Sequence, residues 1–191
     1  MDRLIFTAMA SLKQLNNMKL KHANALANAS TVGFKQTFQF ATTTSKVAGS
    51  GHASRYVPMN RSNDELVIDQ GPLIATGRKL DIYMTGSTLL GVQSPDGQVA
   101  FTRRGDLAVN QAGLISTANG HVVLGEGGGP ITAPVGVELS ITDDGTVTAT
   151  DPAQPDAPPT IVGNLLLRDA TGVRMVRRVD GLYETITARG K

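Results

Sequence analysis

Residues 90–101 read LGVQSPDGQVAF, and this stretch decides the class of fold. Leu90 and Val92 precede a Ser-Pro-Asp-Gly turn signal, and Val99 and Phe101 follow it. Proline, aspartate and glycine in this order favour a tight turn, and alternating apolar side chains are typical of strands with one buried face. The stretch therefore predicts an antiparallel β-hairpin.

The same pattern recurs along the second half of the chain. Turn signals stand at residues 110–113, 119–120, 143–146 and 169–172. Alternating apolar residues occur at Leu80, Ile82 and Met84, at Val137, Leu139, Ile141 and Val147, at Leu165 and Leu167, and at Val173, Met175 and Val179. Residues 151–160 hold four prolines and are predicted to form a loop. So many short strands predict a mainly β fold, with an antiparallel barrel-like or sandwich domain over residues 66–191.

The N-terminal thirty residues follow a different rule. They contain no glycine or proline, which predicts a long α-helix. Their apolar stripe alternates spacings of four and three, the period of a coiled-coil seam, and Lys19 and His22 interrupt it. A helix of this length exceeds what one small domain covers, so we expect it to be ordered only when packed against another chain. The stripe comprises Met1, Ile5, Ala8, Leu12, Leu15 and Leu26.

Two further regions follow the helix. It is expected to end near Ser30–Phe34, where Gly33 can adopt a left-handed conformation. Residues 35–65 are rich in Thr, Ser and Gly and lose the apolar periodicity, which predicts an extended connector. The predicted organisation is a helix over 1–34, a connector over 35–65 and a β-rich outer domain over 66–191.

Composition excludes several classes of function. Eighteen basic and sixteen acidic residues leave a net charge of +2, too small a field to favour nucleic acid. The chain has no cysteine, and aromatic residues make up 4% of it, which disfavours thiol chemistry and a sugar-binding cleft. No apolar run reaches the length of a transmembrane helix, and the N-terminus lacks the continuous apolar region of a cleavable signal.

Four motifs could carry chemistry, but none of them meets the requirements of the corresponding site. The glycine-rich residues 125–130 lack the Lys and the following helix of a phosphate-binding loop. Asp143-Asp144-Gly145 lacks the alternating oxygen donors of a calcium loop. The histidines His22, His52 and His121 are too far apart in sequence for a local zinc pair. Arg104-Gly105-Asp106 spells an adhesion tripeptide at a place where a bend is expected. The sequence thus predicts no catalytic, cofactor-binding or metal-binding residues, and no enzyme.

Residues 22–35, HANALANASTVGFK, are the most specific segment of the chain. They resemble the N-terminal signature of the flagellar rod and hook proteins, Ala-Asn-Asn-Leu-Ala-Asn-x-x-Thr-x-Gly-Phe-Lys/Arg, with Ala25 in place of the second Asn. The opening residues 1–9 resemble the proximal rod members of that family. The β region resembles the family in residues 71–73, 76–82, 101–107, 125–131 and 180–183.

The resemblance implies a structural subunit of the flagellar basal-body rod that assembles helically with other proximal and distal rod subunits. It implies export by the flagellar export apparatus without a cleavable signal peptide, a place in the periplasmic rod, and no nucleic acid or small-molecule substrate. The family ends in a second helix that pairs with the first, whereas this sequence ends at residues 188–191 without one, which puts assembly of this short form in question. The predicted assembly interface comprises Ile5, Ala8, Leu12, Leu15, Asn24, Leu26, Asn28, Gly33 and Phe34.

The two asparagines of this set have a specific expected role. Asn24 and Asn28 are four residues apart and share one helical face, so their amides could hydrogen-bond across a seam and fix the register between subunits. The alternative is that both face solvent.

Three other functions remain open from the sequence. A β-domain binding or adhesion module would show an exposed aromatic or charged cleft. A polysaccharide-acting enzyme would bring two carboxylates to about 5–10 Å from each other in a groove. Within the family, the distal rod protein is the nearest alternative.

Overall fold

The computed structural model describes residues 2–35, 37–38, 42–47, 55–60, 65–66, 68, 70–154 and 156–185. One long helix, α1, spans Asp2–Ala27, and fourteen short strands follow it in these ranges. In chain order the strands are β1 (Thr37–Phe38), β2 (Thr42–Val47), β3 (Arg55–Asn60), β4 (Glu65–Leu66), β5 (Thr88–Gln93), β6 (Val99–Thr102), β7 (Leu107–Val109), β8 (Ile115–Thr117), β9 (Glu138–Ile141), β10 (Thr146–Thr150), β11 (Thr160–Asn164), β12 (Leu167–Asp169), β13 (Met175–Arg177) and β14 (Tyr183–Thr185).

The sheets are antiparallel, as the turn-rich sequence predicts. The largest has the strand order β12-β5-β6-β14-β13, a second has the order β11-β10-β9, and β7 pairs with β8. The mainly β fold with one long N-terminal helix is confirmed. Among the described residues no sheet closes on itself, so the "barrel-like" part of the prediction describes the packing only loosely.

The chain divides into two compact units. The first comprises residues 1–31 and 36–65, and the second comprises 32–35 and 66–191. This division differs from the predicted boundaries in two ways. The hairpin formed by β2 and β3 groups with the helix, and the four residues 32–35 group with the β region.

The second unit is built around strand β5, which is buried on both faces. Leu90 and Val92 are fully buried in the main core, together with Leu107, Ile115 and Val147. Leu89 points to the opposite face because successive side chains of a strand alternate. It packs there in a smaller cluster with Ala170, Met175 and Tyr183. The five-stranded sheet therefore separates two apolar layers.

The predicted turns form at the predicted places. In the hairpin of β5 and β6 the Gly97 N–H donates to the Ser94 carbonyl at 2.8 Å, and Gly97 has a φ of +79°, which favours glycine. Gly113, Gly120 and Gly145 likewise have positive φ values and each close a turn by a backbone hydrogen bond.

Several details of the sequence interpretation differ from the structure. Residues 80–84 form only an isolated bridge, Asp81 to Asp106, instead of a strand. Val173 and Val179 are exposed, although both lie in an apolar alternation. The expected connector contains the hairpin of β2 and β3, which its Thr-rich sequence did not indicate because no apolar alternation marks it. Over the described ranges, no helix has both the length and the apolarity needed to cross a bilayer.

Candidate assembly surface on the N-terminal helix

The predicted apolar stripe of α1 is exposed in the folded chain. Ile5 is 57% exposed, Leu12 64%, Leu15 50% and Leu26 79%, and Ala8 is exposed as well. Met1 lies outside the described residues. Large aliphatic side chains are normally buried in a folded domain, so four of them along one helix form an unusual surface. We call the described stripe residues the apolar ridge.

Two residues that the heptad reading missed widen this surface. Met9 and Leu20 are 63% and 64% exposed. On an α-helical projection they extend the exposed apolar arc from Leu15 to Leu20, about 140° in total. Both residues lie next to the heptad seam on the helical projection. A search for a wider amphipathic face, instead of a strict heptad seam, could have identified them.

Two residues on the opposite side of the helix are partly covered, although Met18 on that side is 50% exposed. Among the α1 residues whose burial is described, Gln14 and Ala25 are of intermediate exposure, and both project about 180–200° from Ile5. Strand β3 of the same unit lies beside α1. The apolar ridge therefore remains open on the side that faces away from these two residues.

The two interface asparagines bind each other within one helix turn. The Asn28 amide donates to the Asn24 backbone carbonyl at 2.9 Å and to the Asn24 side-chain oxygen at 3.1 Å. Thr31 donates its hydroxyl to the Asn28 side-chain oxygen at 3.3 Å. These bonds satisfy polar groups at the helix C-terminus, where α1 ends at Ala27, three residues before the start of the predicted end range, Ser30–Phe34. The structure thus gives the pair an intramolecular role, and a role in subunit register stays a prediction.

Gly33 and Phe34 lie against the strands of the second compact unit, which we call the β unit. The Gly33 carbonyl accepts a hydrogen bond from the Tyr183 hydroxyl at 3.3 Å. A Cβ added at Gly33 would lie 2.7 Å from the Arg104 backbone nitrogen. The guanidinium of Arg177 stacks over the Phe34 ring, 4.8 Å from its centroid. Both signature residues are half-buried by these contacts, and their part in contacts between subunits is untested.

The side chains that hold this segment are themselves fixed by the sheet. Tyr183 is buried in the smaller core cluster, and burial raises the pKa of its hydroxyl, which therefore stays a neutral donor. Arg103 is buried too, and its guanidinium donates to the carbonyls of Thr88 and Met84, both at 2.8 Å. Desolvation by burial lowers the pKa of Arg103.

The second unit also carries a charged cluster, which bears on the enzyme and adhesion alternatives. Arg178 pairs with Asp96 at 2.9 Å, Asp180 at 3.0 Å and Glu184 at 3.3 Å. A hydrogen bond from the Ser94 hydroxyl, followed by the backbone and Arg178, lowers the pKa of Asp96. A glycosidase acid needs a raised pKa, and these carboxylates are engaged by a cation, so the cluster is arranged as an ion-pair network.

The adhesion tripeptide, Arg104-Gly105-Asp106, makes its contacts within the folded chain. Arg104 and Asp106 form a two-bond ion pair at 2.5 and 2.7 Å. Gly105 between them is buried, and an added Cβ would lie 1.9 Å from the Ile82 carbonyl oxygen. The Gly105 carbonyl accepts the Ile82 N–H at 2.9 Å. The tripeptide is therefore a packed bend.

The glycine-rich residues 125–130 and the Asp143-Asp144-Gly145 motif form turns, as predicted. Gly128 donates to the Gly125 carbonyl at 2.8 Å, and Gly145 donates to the Thr142 carbonyl at 2.9 Å. Gly125 also passes close to the Asn164 carbonyl, where only a small residue fits. Over the described ranges, no three His, Asp or Glu side chains are grouped in a way that could hold a metal ion.

Comparison with known proteins shows the relatives of this chain. The sequence profile of the flagellar hook protein FlgE/F/G D1 domain matches residues 83–149. The chain is 38% identical over 183 residues to the flagellar basal-body rod protein FlgF of Salmonella typhimurium (strain LT2), across 96% of this chain and 71% of that protein. It is 36% identical over 194 residues to FlgF of Escherichia coli (strain K12), across 100% and 76%.

A more distant relative has a different name within the same group. The flagellar basal-body rod protein FlgG of Bacillus subtilis (strain 168) is 27% identical over 164 residues, across 79% of this chain and 62% of that protein. The identity to the two FlgF proteins extends over nearly all of this chain, including both units. The chain therefore belongs to the flagellar basal-body rod protein family.

Proposed function

We propose that the chain is a structural, non-enzymatic subunit of the flagellar rod, and that helices of neighbouring rod subunits cover its apolar ridge. The observation that carries this proposal is the exposure of Ile5, Leu12, Leu15 and Leu26 along one helix. An exposed apolar surface of this kind marks a site of contact with another protein.

The free energy of covering the ridge supports contact with more than one neighbour. Burying a Leu or Ile side chain completely stabilises by about 1.5–3 kcal/mol. The ridge side chains are already partly covered, so four of them contribute on the order of 4–8 kcal/mol on assembly. Association itself costs about 4–15 kcal/mol in lost freedom. The ridge alone is thus marginal against this cost, and a bundle that also covers Met9 and Leu20 adds about 2–4 kcal/mol to the gain.

The proposal includes partners and a location. The partners are other proximal and distal rod subunits and, before assembly, the flagellar export apparatus. The location is the periplasmic rod of the basal body, reached without a cleavable signal peptide. The small net charge of +2 supports an absence of nucleic acid among the partners.

Within the rod we assign the chain to the proximal part. The supporting observation is the difference in similarity: 38% and 36% identity to two FlgF proteins over at least 96% of the chain, against 27% over 79% for a FlgG protein. The distal rod alternative would require the opposite order.

The test is a pair of charge variants on α1, expressed in the host bacterium after deletion of the chromosomal copy. Leu12→Asp places a carboxylate on the ridge, and Asn17→Asp adds the same charge about 120° from Ile5 on the same helix. We expect Leu12→Asp to lower incorporation into purified basal bodies more than about tenfold and to abolish swimming, because a buried unpaired carboxylate costs several kcal/mol. Asn17→Asp is expected to assemble.

The amount of each variant in the periplasm separates assembly from export. We expect equal periplasmic amounts of the two variants. Leu12→Asp at the wild-type level in basal bodies would contradict the proposal.

A further inference from the structure

We propose that the β unit contains a peptide-recognition niche whose ligand is the chain's own Gly33-Phe34-Lys35, so that the family signature acts as an intramolecular anchor. The niche is formed by the Arg103–Arg104 backbone, the Tyr183 hydroxyl and the Arg177 guanidinium. The inference does not depend on rod assembly, because every contact that supports it lies within the second compact unit.

The first wall of the niche accepts glycine and excludes larger residues. A Cβ at Gly33 would lie 2.7–2.8 Å from the Arg103 carbonyl group and the Arg104 nitrogen, and these backbone atoms cannot rotate away as a side chain can. Gly33 also has a φ of +72°, in the left-handed region that other residues enter at a cost. The position therefore requires glycine for two independent reasons.

The second wall is a preorganised hydroxyl. The Tyr183 ring is 2% exposed and is packed with Leu89 and Met175, so its hydroxyl is directed by the core. The hydroxyl donates to the Gly33 carbonyl at 3.3 Å, and it also takes part in a hydrogen bond with the Lys35 backbone. One rigid side chain thus engages the peptide on both sides of Phe34.

The third wall recognises the aromatic ring. Arg177 lies 4.8 Å above the Phe34 ring centroid, within the range of a cation–π contact. Arg177 and Tyr183 are directly paired residues of the neighbouring strands β13 and β14. The cation and the hydroxyl are therefore held in fixed relation by the sheet, which makes the niche a built site for a Gly-aromatic peptide and not a chance contact.

This assignment changes the role of the signature. The sequence interpretation placed Gly33 and Phe34 on the surface offered to other subunits. The geometry instead directs both residues toward the chain's own sheet. Residues 32–35 then hold the chain at a defined point of the β unit and do not act there as a free linker.

Hydrogen exchange of the full-length chain in dilute solution tests the niche. The Lys35 backbone amide, which hydrogen-bonds to the Tyr183 hydroxyl, is followed in the wild type and in Tyr183→Phe, which removes the hydroxyl and keeps the buried ring. We expect this amide to exchange about fivefold faster in Tyr183→Phe. Tyr83→Phe is the matched control, because the Tyr83 hydroxyl also donates to a glycine carbonyl, that of Gly71 at 2.6 Å, but outside the niche.

A second variant pair isolates the close approach at Gly33. Gly33→Ala introduces both a strained φ and the backbone overlap. Gly77→Ala introduces the same strain, since Gly77 has a φ of +73°, but no atom lies within 4 Å of its added Cβ. We expect exchange at the Lys35 amide to rise more than about tenfold in Gly33→Ala and to stay unchanged in Gly77→Ala.

Two results would overturn the niche: a Lys35 amide that exchanges at the unprotected rate in the wild type, or Gly33→Ala and Tyr183→Phe that behave like their controls. Exchange at Leu90 and Val92 reports whether the core of each variant is intact. Because the measurement needs no rod, its failure leaves the assembly proposal untouched, and a failure of the Leu12→Asp test leaves the niche untouched.

Discussion

Leu12 and Leu90 are both leucines that belong to a regular apolar pattern, yet Leu12 is 64% exposed and Leu90 is fully buried. On β5 the pattern is satisfied inside the chain, because two apolar layers cover both faces of the sheet. On α1 the ridge is left open, while Gln14 and Ala25 on the opposite side are partly covered. The comparison teaches that apolar periodicity predicts an element that needs covering and does not say which molecule provides the cover.

The largest expected difference in stability comes from truncating these two leucines. Leu90→Ala removes a fully buried side chain and is expected to lower the free energy of unfolding by about 2–5 kcal/mol. Leu12→Ala is expected to change it by less than about 0.5 kcal/mol, because the side chain is already in water. Urea unfolding, followed by the near-ultraviolet circular dichroism of the tyrosines, measures both. Equal losses would mean that the ridge is covered within the isolated chain.

Two glycines of the β unit allow a second comparison, between a tightly packed position and an open one. Gly105→Ala forces a methyl group against the Ile82 carbonyl and is expected to destabilise by about 1–3 kcal/mol. No atom lies within 4 Å of the Cβ that Gly127→Ala would add, and neither glycine has a φ in the left-handed region. Gly127→Ala should therefore be neutral or slightly stabilising. If thermal unfolding gives the same midpoint for both variants, the bend at the Arg-Gly-Asp tripeptide is not tightly packed.

The smallest expected effect concerns acid. Hydroxyl hydrogen bonds from Ser94, Thr142 and Thr171 are the main cause that lowers the pKa values of Asp96, Asp144 and Asp169, respectively. Lowered pKa values in the folded state stabilise it fully above the ordinary value of 3.8, and this stabilisation is lost as the pH falls through the lowered values.

We therefore expect the melting temperature of the β unit to fall between about pH 5 and pH 2. The fall should be shallower in Asp144→Asn than in Asp156→Asn, a substitution at an exposed position between β10 and β11. Identical acid profiles for the two variants would show that the Asp144 turn does not contribute.

The sequence predicted those features that depend on neighbouring residues. The helix follows from the lack of glycine and proline before Gly33, and the hairpin of β5 and β6 follows from the alternation around Ser94–Gly97. The exposed ridge was predictable because a helix of this length has more apolar surface than a small domain covers. Its residues as an assembly interface remain a prediction.

The features that could not be predicted depend on distant residues. Gly33 contacts Arg103 and Tyr183 only once the sheet has formed, so no local sequence pattern predicts the niche. The hairpin of β2 and β3 was missed because Thr-rich strands without apolar alternation look like a connector. Val173 and Val179 follow an apolar alternation but lie at the surface, since the path of the chain there turns their side chains to solvent.

The central claim is that the ridge is open in the isolated chain and covered in the rod, and cysteine labelling tests it most directly. The chain has no cysteine, so Leu12→Cys provides a single thiol on the ridge, and Val135→Cys provides one at a fully exposed position of the β unit. We predict that a maleimide labels both thiols rapidly in the isolated chain, and that in purified basal bodies Leu12→Cys labels at least about tenfold more slowly than Val135→Cys. Equal labelling of Leu12→Cys in both states, or its protection in the isolated chain, would contradict the account.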